Sequence, residues 1–79
     1  MASKTRKTYN GHPSYNAWNV ALWLGNDEGL YHFALDCKRH GGNSEQGARI
    51  FMQEFEGRKT PDGVPYTLTN VKRALAGLG

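Results

Sequence analysis

Apolar residues recur along most of the chain at three- and four-residue spacing, the period of an amphipathic helix. Tyr15, Trp18, Ala21 and Leu22 form the first such stripe. Ser14 stands before it as an N-cap, and Gly25 can close it. Val20, Trp23 and Leu24 widen the apolar surface beyond one stripe. This first helix is therefore either central and buried on more than one side, or leaves an aromatic patch exposed.

Leu30, Phe33, Ala34 and Cys37 make the second stripe. Asn26 or Asp27 can cap its start, where Asp27 and Glu28 also meet the positive helix end, and Lys38, Arg39 and His40 sit near the negative end before Gly41-Gly42 stops it. So few residues separate these helices that they should form an antiparallel or steeply angled pair. A third helix carries Ala48, Phe51, Met52 and Phe55, opened by Asn43 with Gln46 three residues on, much like a capping box, and ended by Gly57. Pro61-Asp62-Gly63 is a turn signal and Pro65 forbids a regular helix, so a short hairpin fits between the last two helices. Thr67 or Thr69 then caps a final helix with Leu68, Val71, Leu75 and Leu78 on its stripe, ending near Ala76. Residues 1–13 have no apolar period and read as a flexible basic arm. Residues 14–79 read as one small all-α domain of about four short helices.

Composition adds limits. At 79 residues and 38% hydrophobic, with Trp18 and Trp23 among the large side chains, the chain has material for one compact core, which argues against wholesale disorder. Cys37 is the only cysteine, so an intramolecular disulfide and a cysteine-based zinc cluster are excluded and a reducing, cytoplasmic setting fits. Neither a signal-peptide pattern nor an apolar run of membrane-spanning length is present, so no membrane association is expected. The formal net charge of +3 is supplied by Lys4, Arg6 and Lys7, because the remaining basic and acidic side chains balance. Such an arm either steers the chain toward phosphate or an acidic partner, or is a solvated end.

Catalysis requires groups brought together, and candidates are few. His32, Asp36 and His40 fall on one face of the second helix, but about 12 Å of rise separates the two histidines, too far for one metal ion bonding at about 2 Å to take all three. Cys37 and His40 could pair as thiolate and imidazole, with Lys38 and Arg39 lowering the thiol pKa. Against that, Cys37 lies on the apolar stripe, which favours a buried structural thiol. Glu54 and Glu56, two residues apart, cannot face each other on a helix. No phosphate-cradling glycine motif occurs. The reading is a protein without catalytic site, metal or cofactor. For nucleic acid, Lys72 and Arg73 together with Arg49, Arg58 and Lys59 make a candidate basic surface. The loop of about ten residues before the last helix is too long for a helix-turn-helix. Tyr9, Tyr15 or Tyr66, if exposed, would stack on single-stranded bases or anchor a protein interface.

The run Tyr15-Asn16-Ala17-Trp18-Asn19-Val20-Ala21-Leu22-Trp23-Leu24-Gly25-Asn26-Asp27-Glu28-Gly29-Leu30-Tyr31 resembles a motif in small uncharacterised proteins of phages and other mobile elements. In those, a tyrosine, a Thr-Trp pair, a Leu-Trp pair and an Asn-Asp-Glu-x-Leu-Tyr run recur. Pro61-Asp-Gly-Val-Pro-Tyr-Thr and Asn70-Val-Lys-Arg-Ala-Leu resemble their C-terminal part, so the likeness covers most of the chain beyond the arm. Ala17 stands in place of the threonine, which removes a capping or cross-helix hydrogen bond. Structurally, the motif reads as core (Trp18, Leu22, Leu30) and a helix start (Asn26-Asp27-Glu28). By analogy with anti-CRISPR proteins of similar build, the resemblance implies a phage-encoded inhibitor of host defence. Its partner would be a CRISPR effector complex, most plausibly type I, in the cytoplasm of a bacterial host. The contact residues then expected are Lys4, Arg6, Lys7, Arg58, Tyr66 and Arg73. The alternative is a small phage nucleic-acid-binding or regulatory protein.

Overall fold

The computed structural model describes residues 14–78, and over this range the chain forms four helices: α1 (Tyr15–Asn26), α2 (Glu28–Gly41), α3 (Ser44–Phe55) and α4 (Leu68–Ala76). Each begins at a side chain that accepts an amide hydrogen three residues on: Ser14 from Ala17, Asp27 from Leu30, Asn43 from Gln46 and Thr67 from Asn70. These bonds satisfy amides that a helix cannot satisfy itself, and each is worth about 1 kcal/mol. Asp27 serves twice. Its backbone N–H donates to Trp23 O and closes α1, while its carboxylate opens α2. Consequently α1 runs through Gly25 rather than ending there. Gly42 (φ 82°) and Gly57 (φ 83°) do take the left-handed conformation where α2 and α3 end, a conformation that costs glycine little.

Helix α1 packs on α2 and α4, and α3 packs on the same two helices. Phe51, Leu24, Leu75, Val20 and Val71 are the largest fully enclosed apolar side chains. Phe51 stacks on Phe55 at 4.5 Å between ring centroids, and Tyr66 meets Phe55 edge-on at 5.2 Å. Such offset and edge contacts suit the ring quadrupoles.

The buried face of α1 differs from the expected stripe. Ala17, Val20 and Leu24 are buried, while Trp18, Ala21 and Leu22 are only half-buried and Tyr15 is 43% exposed. Leu30 is likewise half-buried, and Leu68 is 36% exposed. The α4 residues turned inward are Val71, Ala74 and Leu75. Apolar residues circle much of α1, so period alone fits several stripes, and packing against two helices at once selects the small, well-fitting Ala17, Val20 and Leu24.

At the α2–α3 crossing the backbones approach closely. A Cβ on Gly47 would lie 2.7 Å from Lys38 Cα, and one on Gly41 would lie 2.5 Å from Gly47 N. Only glycine leaves room for this contact. Among the described residues no strand forms; Lys59 and Pro65 make one antiparallel bridge. The hairpin is thus a single rung closed by Thr60 N–H to Val64 O (2.8 Å) and Tyr66 N–H to Arg58 O (3.0 Å). Gly63, at φ 90°, completes the turn. No helix among the described residues is long and apolar enough to cross a membrane.

Candidate functional site

Cys37, the strongest nucleophile candidate in the sequence, is 2% exposed. Burial, and behind it the Asp36 and Glu54 carboxylates, push its thiol pKa up, the reverse of what a reactive thiolate needs. Lys38 does not offset this, because its ammonium reaches across to α4 and donates to Leu75 O (2.9 Å) and Leu78 O (3.0 Å). It thereby satisfies carbonyls at the negative end of α4 rather than of its own helix. His32, Asp36 and His40 are exposed on α2 as expected, each engaged locally. His32 lies 4.0 Å from Glu28, Asp36 pairs with Arg39 at 3.1 Å, and His40 Nδ1 lies 2.9 Å from Asp36 O. Among the described residues, no group of three His, Cys, Asp or Glu could hold a metal ion.

Of the expected contact residues, Lys4, Arg6 and Lys7 lie outside the described residues. Tyr66 is a correction. It is 5% exposed, its ring packs against Phe51 and Phe55, and burial, followed by the nearby Asp27, raises its phenol pKa. A loop tyrosine looked exposed, but the single-rung hairpin folds it back onto α3, where it completes the core. Arg58 is exposed, with its guanidinium carbon 4.9 Å from the centre of the Phe55 ring, so it partly covers that ring by a cation–π contact. Arg73 is exposed on α4 and makes no ion pair among the described residues.

The outer face of α3 and α4 gathers three of the five basic residues anticipated on one surface. The helices run antiparallel, with Ser44 at the start of α3 near Ala76 at the end of α4, and Leu68 near Glu56 at the opposite end. Glu45 joins them: it accepts from Arg49 at 3.2 Å and pairs with Lys72 at 3.6 Å. The Arg49 hydrogen bond, then the charge of Lys72, hold its carboxyl below the usual range. Two open depressions lie along this face. One is lined by Arg49, Met52 and Leu68 among others, and the second by Ser44, Thr69, Lys72 and Arg73. Met52, read as core, is half-buried and forms part of the first depression.

A polar cluster that the sequence did not reveal fixes the hairpin to α1. Asn19 is fully buried on α1. Its Oδ1 accepts from Thr60 Oγ1 at 2.7 Å, and its Nδ2 donates to Asp62 Oδ2 at 2.8 Å. Trp23 Nε1 donates to the same carboxylate oxygen at 3.0 Å, and Thr60 Oγ1 accepts from Val64 N–H at 3.1 Å. The hydrogen bonds from Asn19 and then Trp23 hold the Asp62 carboxyl below its ordinary range. This network joins the tryptophan-rich segment to Pro61-Asp62-Gly63, and its geometry is that of a structural clamp. The available signal was Asn19 itself, an amide between Trp18 and Val20 on a helix with apolar residues on most sides, where burial requires partners.

Comparison with curated proteins and with solved structures yields no match. A model of a family of unknown function matches residues 5–75. With nearly its whole length covered by that match, the chain belongs to this family, DUF7249.

Proposed function

We propose that this protein acts by binding a macromolecular partner rather than by catalysing a reaction. The observation that carries this reading is the fate of Cys37: the one strong nucleophile is enclosed in the core with its pKa raised. Among the described residues, exposed His32 stands 4.0 Å from Glu28 and His40 Nδ1 2.9 Å from Asp36 O, each beside a neighbour on its own helix. What remains on the surface is recognition chemistry, above all the α3–α4 face with Arg73 and Leu68. The specific form of the proposal is an anti-defence protein that binds and inhibits a CRISPR effector complex, and its support is the motif resemblance together with this non-catalytic build.

The test is phage plating on matched CRISPR-active and CRISPR-deleted hosts that express the protein, for several type I systems. Plaquing restored only where CRISPR is active, with the effector co-purifying, is the expected result. Equal plaquing in every pair overturns the anti-defence reading. A second reading is nucleic-acid binding, favoured by the placement of Arg49, Lys72 and Arg73 on one face. In that case affinity for DNA or RNA falls steeply with salt, because phosphate contacts release counterions.

A further inference from the structure

The geometry points to the α3–α4 face as the docking surface, and to an acidic amphipathic segment of a partner protein, seated between the two helices, as its occupant. This rests on the binding reading above and goes further in naming surface and partner chemistry. Leu68, 36% exposed, is one of two large hydrophobic side chains among the described residues that count as exposed. It stands beside half-buried Met52, so an apolar anchor has a place to sit. At the other end, Lys72 and Arg73 line the second depression with the Ser44 and Thr69 hydroxyls. Lys72 shares Glu45 with Arg49, while Arg73 has no carboxylate partner among the described residues. An unpaired guanidinium in an open groove favours a carboxylate, which it can bind bidentately.

The apolar end and the cationic end lie along one antiparallel helix pair. That arrangement suits a helix laid in a groove, with apolar anchors at one end and acidic residues at the other. Nucleic acid fits less well. A phosphate backbone would run on past the cationic end to Glu56 beside Leu68, where the segment places apolar anchors instead, and neither depression is lined by an aromatic ring on which a base could stack.

The test is a titration of the labelled full chain, followed by its amide signals. The probe is a synthetic helical peptide with leucines on one face and glutamates beside them; a peptide with lysines for the glutamates and an oligothymidylate serve as comparisons. The acidic peptide should shift residues 49–53 and 68–76 saturably. Leu68→Glu and Arg73→Glu should each weaken it by about tenfold or more, the scale of a central contact. Both positions are exposed; an acid at Leu68, the start of α4, is tolerated by the helix dipole, whereas at Arg73, in the last turn, the dipole opposes it, so Arg73→Gln is measured beside Arg73→Glu. Unchanged far-ultraviolet spectra would confirm that the variants fold. Absence of saturable shifts, a shift map elsewhere, equal binding of the lysine peptide, or tighter binding of oligothymidylate would overturn the proposal. In the plating assay, loss of protection in both variants supports it. Protection by the wild type that both variants retain refutes the surface and leaves the anti-defence reading standing. If the wild type does not protect, that reading fails and the peptide titration alone decides the groove.

Discussion

Gly47→Ala should destabilise the protein even though it replaces a poor helix former with the best one. Inside α3 the substitution gains about 0.8–1.0 kcal/mol of helix propensity. Its new methyl carbon, however, would lie 2.7 Å from Lys38 Cα, 3.0 Å from Lys38 N and 3.1 Å from Cys37 O. Carbon atoms pack best at about 3.5–4.0 Å, so α2 and α3 must separate by on the order of 1 Å. All three obstructing atoms are backbone, and none can rotate aside. Opening the seam loosens Ala34, Cys37, Ala48 and Phe51, which belong to the same buried cluster. Overpacking of this kind costs about 1–3 kcal/mol; with three backbone obstructions the upper part of that range applies, about 2–3 kcal/mol, and it exceeds the propensity gain. A net loss of about 1–2 kcal/mol corresponds to a fall in Tm of about 4–16 °C for a domain of this size. Gly25→Ala is the internal control, since its Cβ meets nothing within 4 Å and the residue is exposed in the last turn of α1. It should raise stability by about 0.5 kcal/mol. Thermal and urea unfolding followed by circular dichroism compares the two variants with the wild type, provided the urea m-value is unchanged. A Gly47→Ala protein as stable as wild type, or more so, would refute the close-crossing argument.

Asn19→Ala removes one buried and one part-buried hydrogen bond and leaves Thr60 Oγ1 without its acceptor; urea unfolding should show a loss of about 2–4 kcal/mol. Asp62 is held below its ordinary pKa by Asn19 and Trp23. Its contribution is therefore complete above the unfolded value near 4 and is lost as pH falls through the lower folded value. Between about pH 5 and pH 2, Asp62→Asn should flatten the fall in Tm, with a residual slope from Glu45, whose pKa is lowered in the same direction; identical slopes in both proteins would discount the clamp. The Cys37 thiol, buried and with its pKa raised, should react with an aromatic disulfide reagent at least about a hundredfold more slowly in native protein than in urea. Rapid labelling of folded protein at neutral pH would place the thiol at the surface instead.

Helix number, type and most ends were legible in the sequence because the forces that set them are local; the exception is α1, which runs past its expected stop at Gly25 to Asn26. Ser14, Asp27, Asn43 and Thr67 each act on an amide three residues away, and Gly42 and Gly57 need only their own φ. Asp27 and Thr67 were each one of two candidates, and tertiary geometry chose between them. The buried face of α1 was not legible, because Tyr15, Trp18, Val20, Leu22, Trp23 and Leu24 circle the helix and its period admits several stripes. Tyr66 looked like an exposed loop residue for want of any local sign that the hairpin folds back. The Asn19–Thr60–Asp62 network joins residues more than 40 positions apart, and nothing within one turn of Asn19 announces its partners. Lys38 caps a helix distant in sequence, and Gly47 reads as a weak helix residue until α2 is laid against it. Sequence by itself determined where the chain is helical, through capping and periodicity. Tertiary structure alone decided which sides of the helices meet, because that choice depends on the shapes of surfaces that only folding brings together.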